Sequence, residues 1–199
     1  MRRISLFAED YGHEAFLRPL LERLAAQYGI AVTVTPFSVR GGYGKVADEL
    51  EEYVADLLRY RENLPDLVLV ATDANCQGFS KRRKQFQKAA EPIHDQVVFA
   101  VPDPHVERWL LLDSAAFKQV LGKGCAAPDQ KCGRDRYKGL LAQAVVQSGA
   151  TPLLGGMEYA EDIVHAMDLK RMQQQDESLG AVLEELHSRF RAWQAGAER

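Results

Sequence analysis

The sequence predicts an α/β fold: a mostly parallel, doubly wound sheet flanked by helices, with a helical C-terminal extension. Three observations carry this prediction. Short apolar or β-branched runs alternate with longer segments of helical period through the first half of the chain. One such run, LVLVA at 67–71, is apolar at every position, as in a parallel strand covered on both faces. The length, 199 residues with 46% hydrophobic, supports one substantial core and not two large domains.

Taken in order, RRISLFA at 2–8 reads as a short buried strand. A helix follows from about Gly12 to Tyr28, where Phe16, Leu17, Leu20, Leu21 and Leu24 recur at helical spacing. IAVTVTPF at 30–37 is β-branched and alternating, a second strand. The glycine-bearing loop SVRGGYGK leads to a helix from about Val46 to Tyr60, with Leu50, Tyr53, Val54, Leu57 and Leu58 on one side. PDLVLVATD at 65–73 is the third strand, introduced by Pro65. GFSKRRKQFQKAA reads as a helix and DQVVFAVPD at 95–103 as the fourth strand.

After Pro104 the pattern changes. HVERWLLLDSAAFKQVLG is helical, KGCAAPDQKCGRD is a loop, and the rest is largely helical, ending in SLGAVLEELHSRFRAWQ. Residues 1–113 form the α/β core and 114–199 a helical extension packed on it, one compact unit. Trp109 and Trp193 read as core anchors, not base-stacking platforms.

Composition excludes several classes. A net charge of −3 does not describe a globally basic nucleic-acid binder, so any such binding must use local patches. No run of about 18 apolar residues exists to span a membrane. In MRRISLFAEDY the apolar stretch is broken by Glu9 and Asp10, unlike a signal peptide. Cys76, Cys125 and Cys132 are an odd number without CxxC spacing, which argues against a disulfide framework and a structural zinc site. A reducing cytoplasm is the expected setting.

Carboxylates fall where ligands bind in open parallel sheets, at the carboxyl ends of strands. Glu9 and Asp10 close the first strand, with His13 and Glu14 just beyond. Asp73 closes the third, with Asn75 two residues on, and Asp103 closes the fourth, with Glu107 a turn later. If strands one, three and four are neighbours, these acids converge and repel one another unless a hard divalent cation neutralises them. Two such ions, roughly 4 Å apart, are a common device for in-line phosphodiester attack. The structural alternative is capping: Asp103 before Pro104 suits an N-cap with proline at N1, and Asp10 or Gly12 suits the first helix. His13 and His105 read as helix-start or surface histidines, or as groups that orient a carboxylate, bind metal or pair with phosphate. His94, His165 and His187 have no supporting context.

Positive charge for a polyanion lies in two segments. FSKRRKQFQK carries Lys81, Arg82, Arg83, Lys84 and Lys88, and KCGRDRYK carries Lys131, Arg134, Arg136 and Lys138. Such clusters neutralise phosphates, or else form a solvated helix face. Lys138 is also a candidate for stabilising charge in a transition state. RGGYGK is not a P-loop, because Val46 follows Lys45 where Ser or Thr is needed; Gly41, Gly42 and Gly44 allow a tight loop, with Arg40 and Lys45 left for phosphate. Cys76 sits beside the acids but has no nucleophile arrangement around it.

The order FAEDYGHEAFL, LVLVATDANCQG and VVFAVPDPHVERWLLLD resembles a poorly characterised group of bacterial Toprim-like proteins. More distantly it resembles the nuclease domain of overcoming-lysogenisation-defect proteins. The resemblance spans about residues 1 to 113, more weakly through KCGRDRYKGLL to the C-terminus. It implies a Toprim-like, Rossmann-like fold and Mg²⁺ or Mn²⁺ for phosphoryl-transfer chemistry. By position, Glu9 is then the Toprim glutamate, a metal ligand or general acid/base. Asp73 is the first aspartate of the Asp-x-Asp motif, and Asp103 and Glu107 match a second acidic motif. Glu14 resembles a glutamate in the following turn. Asn75 stands where the second aspartate usually is, with one less negative charge. Asp10 fills a place often held by glycine.

The resulting expectation is a metal-dependent nuclease with Glu9, Asp73, Asn75, Asp103 and Glu107 at the metal. Its catalytic groups would be Glu9, Asp73, Glu107 and Lys138. Lys81, Arg82, Arg83, Lys84, Arg134 and Arg136 would sit on the nucleic acid. Asp73→Ala is expected to abolish cleavage without unfolding the protein. The resemblance adds an ATPase partner and a role in phage defence. The alternative is a catalytically weak or inactive module that binds nucleic acid or a partner protein, with Asn75 as its best support.

Overall fold

The computed structural model describes residues 1–39, 45–60 and 64–197; Arg40, Gly41, Gly42 and Gly44 of the glycine loop lie outside them. Strand β1 (Arg2–Ala8) leads to helix α1 (Tyr11–Gln27), β2 (Val32–Ser38), α2 (Val46–Arg59), β3 (Leu67–Ala71), α3 (Phe79–Ala89) and β4 (Val97–Ala100). The sheet is all-parallel in the order β2-β1-β3-β4. The chain winds outward from β1 to β2, then crosses back to β3. The carboxyl ends of β1 and β3 therefore form the point where the winding reverses.

Register sets what happens there. Ala8 pairs with Ala71, and Ala71 with Ala100, so three small residues form one row across the sheet. The residues after that row leave the sheet together. Their backbones stay joined through Glu9 N to Ala71 O (3.0 Å), Thr72 N to Ala100 O (3.1 Å) and Ala74 N to Pro102 O (2.8 Å).

Both faces of the sheet are covered. Leu6, Leu69 and Val98 face a core shared with α1 and the later helices, while Phe7, Val70 and Phe99 pack with Leu50, Val54 and Phe86 of α2 and α3. Each such side chain contributes about 1.5–3 kcal/mol on burial. Strand β2, at the edge, keeps the alternation its sequence announces.

The stretch 105–122, read as helix, is two helices: α4 (Val106–Leu111) and α5 (Ser114–Leu121). Asp113 breaks it. Its carboxylate accepts from Ala115 N (3.1 Å), Ala116 N (3.2 Å) and, far along the chain, Asp168 N (2.9 Å). Capping and tertiary contact together outweigh helix continuation.

Then come α6 (Arg136–Gln147), α7 (Ala160–Ala166), α8 (Leu169–Gln175) and α9 (Glu177–Ala197). Leu141, Val145, Ile163, Val182 and Phe190 belong to the same core as Leu6 and Leu69. Buried Asp176, just before α9, accepts from Arg108, Trp109 Nε1 (3.2 Å), Ser178 Oγ (2.6 Å) and Leu179 N (2.8 Å). That polar cluster locks α4 to the start of α9. Among the described residues no helix is long and apolar enough to cross a membrane.

Candidate active site

A cleft of about 260 Å³ opens over the ends of β1 and β3, lined by Glu9, Asp10, Asp73 and Asn75 and, from the start of α6 and the residues before it, by Arg134, Asp135 and Lys138. Glu9 is the first residue beyond β1. Its Oε2 accepts from Thr72 Oγ1 (2.6 Å) and from Asp73 N (3.2 Å), which fixes the carboxylate against the end of β3. Thr72 is itself held by the buried Arg82, whose guanidinium donates to Thr72 Oγ1 (2.9 Å) and to Asp73 O (3.2 Å).

Asp73 is buried between two histidines. His105 Nδ1 lies 2.9 Å from Oδ2, Val106 N donates to Oδ1 (3.0 Å), and His13 Nε2 is 3.2 Å from Oδ1. The His13 contact is an ion pair without hydrogen-bond alignment. On its other side His13 Nδ1 meets Asp10 Oδ1 at 2.8 Å, the atom that also caps α1 by accepting from His13 N. Asp10 is therefore the N-cap that its position suggests.

The charges follow. Burial would push the His13 imidazole down, but the Asp73 charge and the hydrogen bond to Asp10 outweigh it and raise it to about 10. Burial would raise Asp73, yet the charge of His13 and the hydrogen bond from His105 hold it well below the usual carboxylate range. The hydrogen bond to Asp73 raises His105, against its partial burial. Burial, and then the charge of Asp73, push Glu107 up.

Opposite the acids, the segment before α6 is fastened in place. Tyr137, fully buried, puts its hydroxyl 2.7 Å from Asp129 O and 2.9 Å from Lys131 O. Cys132 forms a disulfide with Cys76, which lines the cleft. The expectation of unpaired cysteines is thus corrected: odd number and spacing say nothing about which thiols the fold brings together. Cys125 remains free.

Other expected site residues fall elsewhere. Asp103 accepts from Phe79 N (3.1 Å) at the start of α3, so it caps a neighbouring helix instead of its own and does not line the cleft. The N-cap position of α4 is His105, and the Asp103–Pro104 peptide is cis. Glu107 faces an adjoining hollow. Glu14 pairs with Arg18.

In the first basic segment, Arg82 is buried over Phe86 and Arg83 pairs with Glu185 of α9; Lys81 and Lys84 are exposed but do not line the cleft. Arg136 Nη2 donates to both carboxylate oxygens of Asp129 at 3.0 Å. Among the described residues, the cleft cations come from the second segment, Arg134 and Lys138.

Asn75 sits at φ +50, a left-handed conformation that Asn tolerates better than most residues, and its Nδ2 reaches Asp73 O at 3.4 Å. The residue at this position thus has a backbone role. His13 lies in the first turn of α1, as read, and meets two carboxylates, but it is fully buried and not a surface group. Thr72, the clamp on Glu9, carried no signal beyond following the third strand.

Among the described residues no three His, Cys, Asp or Glu side chains converge as a ready metal-ligand set. No curated protein and no solved structure matches the chain. A family model for a domain of unknown function, DUF4276, does match, over residues 8–187. That span runs from the end of β1 into α9 and includes every cleft residue, and the chain belongs to the DUF4276 family.

Proposed function

We propose that the protein is a divalent-metal-dependent nuclease that hydrolyses phosphodiester bonds at this cleft. One observation carries the reading: the oxygens of Glu9, Asp73 and Asn75 line one cleft together with the cations of Arg134 and Lys138. An anionic backbone can therefore meet positive charge from Lys138 and from the exposed Arg134, which pairs with Asp135 at 3.5 Å, while its phosphate faces the acids.

The donor set fits Mg²⁺ or Mn²⁺. Magnesium keeps several waters and needs one or two carboxylates plus substrate phosphate, not a complete protein cage. A carboxylate offers about four acceptor positions. At Asp73, contacts from His13, Val106 and His105 leave Oδ2 with spare capacity. Glu9, that oxygen and the Asn75 amide are the groups that would hold the ion. Bound there, a divalent cation would polarise the phosphate and offset its charge. The chain supplies the rest. Thr72 and the Asp73 N–H keep Glu9 oriented, and Arg134 and Lys138 bind the phosphates. Lys138 offsets charge that builds during bond cleavage.

The test compares wild type with Glu9→Gln on single- and double-stranded DNA and RNA, with Mn²⁺ and with chelator. Cleavage should need the metal and fall about a hundredfold in the variant. Undiminished cleavage by Glu9→Gln sinks the reading.

A second reading, a binding module without catalysis, is favoured by how fully Asp73 is engaged inside the protein. It predicts salt-dependent binding to nucleic acid that needs no divalent ion and occurs without cleavage.

A further inference from the structure

Beside the cleft, and sharing Asp10 and Lys138 with it, lies a second hollow of about 260 Å³. Glu107 lines it. This residue is 4% exposed, and its Oε2 is buried without a hydrogen-bond partner in the protein. A buried acceptor is costly to leave unmade, so the oxygen is suited to a donor arriving from outside. The other linings include Tyr11, 53% exposed, Leu154, 55% exposed, and the buried Met157. These offer an aromatic and aliphatic surface.

An occupant must therefore be flat or apolar, carry an N–H donor, and connect to a phosphate near Lys138. We propose that this hollow is a nucleobase subsite, selective for bases with an amino group, whose N–H meets Glu107 Oε2 while the ring lies against Tyr11. The proposal rests on the reading that the substrate is a nucleic acid. Because Lys138 lines both hollows, a nucleotide can place its phosphate in the cleft and its base in the second hollow. Carboxylates pair well with the cytosine N4 amine, and stacking on an aromatic ring tolerates every base. Thymine and uracil lack an exocyclic amine, and the carbonyl oxygens on either side of their N3–H would be pressed against Glu107.

The experiment measures binding of fluorescein-labelled oligo-dC, oligo-dA and oligo-dT of equal length to the full chain, with chelator present throughout. Wild type should hold oligo-dC and oligo-dA about tenfold tighter than oligo-dT. Glu107→Gln, whose amide donates as well as accepts, should bring the three within about threefold of one another. Tyr11→Ala should weaken all three alike, keeping the ratio.

Equal wild-type affinities for the three strands overturn the subsite, and that comparison needs no variant. A preference that survives in folded Glu107→Gln overturns it too. Failure to bind any strand removes the subsite and the nucleic-acid reading together. A Glu107-dependent preference, without cleavage under any divalent ion, supports the subsite and removes only the nuclease.

Discussion

His13 Nε2 and Asp73 Oδ1 lie 3.2 Å apart, the histidine fully buried and the aspartate nearly so. Through this contact the helix after β1 is tied to the end of β3. With Asp10 on one side and His105 on the other, carboxylates and imidazoles alternate across the floor of the cleft. The site acids are thus part of what holds the sheet ends together.

Asp73→Ala should therefore destabilise the protein, contrary to the expectation from sequence. It leaves a buried charged histidine, a second imidazole and the Val106 N–H without their acceptor. Removing one partner of a buried pair costs about 3–5 kcal/mol. Chemical denaturation gives the number, and a wild-type midpoint would show the pair to be dispensable.

The same pair sets a pH window. Asp73 is held below its ordinary value, so its contribution is present above about pH 4 and lost as pH falls through the folded-state value. His13 is raised, so its contribution is full below about pH 6.5, its unfolded value, and disappears as pH rises through about 10. Thermal melts from pH 3 to 11 should show a plateau from about pH 4 to about 6.5 and a progressive fall from there to about pH 10. His13→Leu should flatten the alkaline fall, and an unchanged fall in that variant would contradict the assignment.

Cleft cations and surface cations should separate by salt dependence. Lys138→Ala should reduce the slope of log affinity against log salt by about 0.7 on single strands. Lys84→Ala, exposed and outside the cleft, should leave it unchanged. Equal effects would place the nucleic acid elsewhere.

Reduction of the Cys76–Cys132 disulfide should loosen the cationic side of the cleft. The bond closes a separation of 56 residues and fastens the segment carrying Arg134 to the turn beside Asp73. Chain entropy for such a loop is worth about 4 kcal/mol. Melting with and without a dithiol reductant measures it, and Cys132→Ser should match the reduced wild type. Superimposable melts would mean that the bond constrains nothing.

Glu107→Gln should stabilise the free protein near neutral pH. Burial raises the Glu107 carboxyl, so its contribution is most favourable below about pH 4.5 and is lost as pH rises through the folded-state value. The amide never charges, so the cost of burying a charged carboxylate there is removed. The gain should vanish at low pH. A loss of stability at neutral pH would mean that Glu107 has an internal partner.

Much of the fold was legible in the chain. The short strand at 2–8, the continuous apolar run at 67–71 and the alternation at 30–37 marked β1, β3 and β2 because strand burial depends on which faces are covered. Asp10 was legible as a cap because capping acts over three residues. That Glu9 and Asp73 come together at one end of the sheet was legible because strand ends converge in a parallel sheet.

What the sequence by itself determined was the alternation of elements, and with it the end of the sheet where acids would gather. Tertiary structure decided which of those acids face the cleft. Asp103 turned to Phe79, Arg82 to Thr72 and Arg83 to Glu185, each taken by a partner from another element. It also joined Cys76 to Cys132 and buried His13 between two aspartates. Hydrophobic period and capping are local and can be read along the chain. A buried charge or a thiol answers to whatever the packing brings within about 3 Å, and sequence distance does not announce that partner.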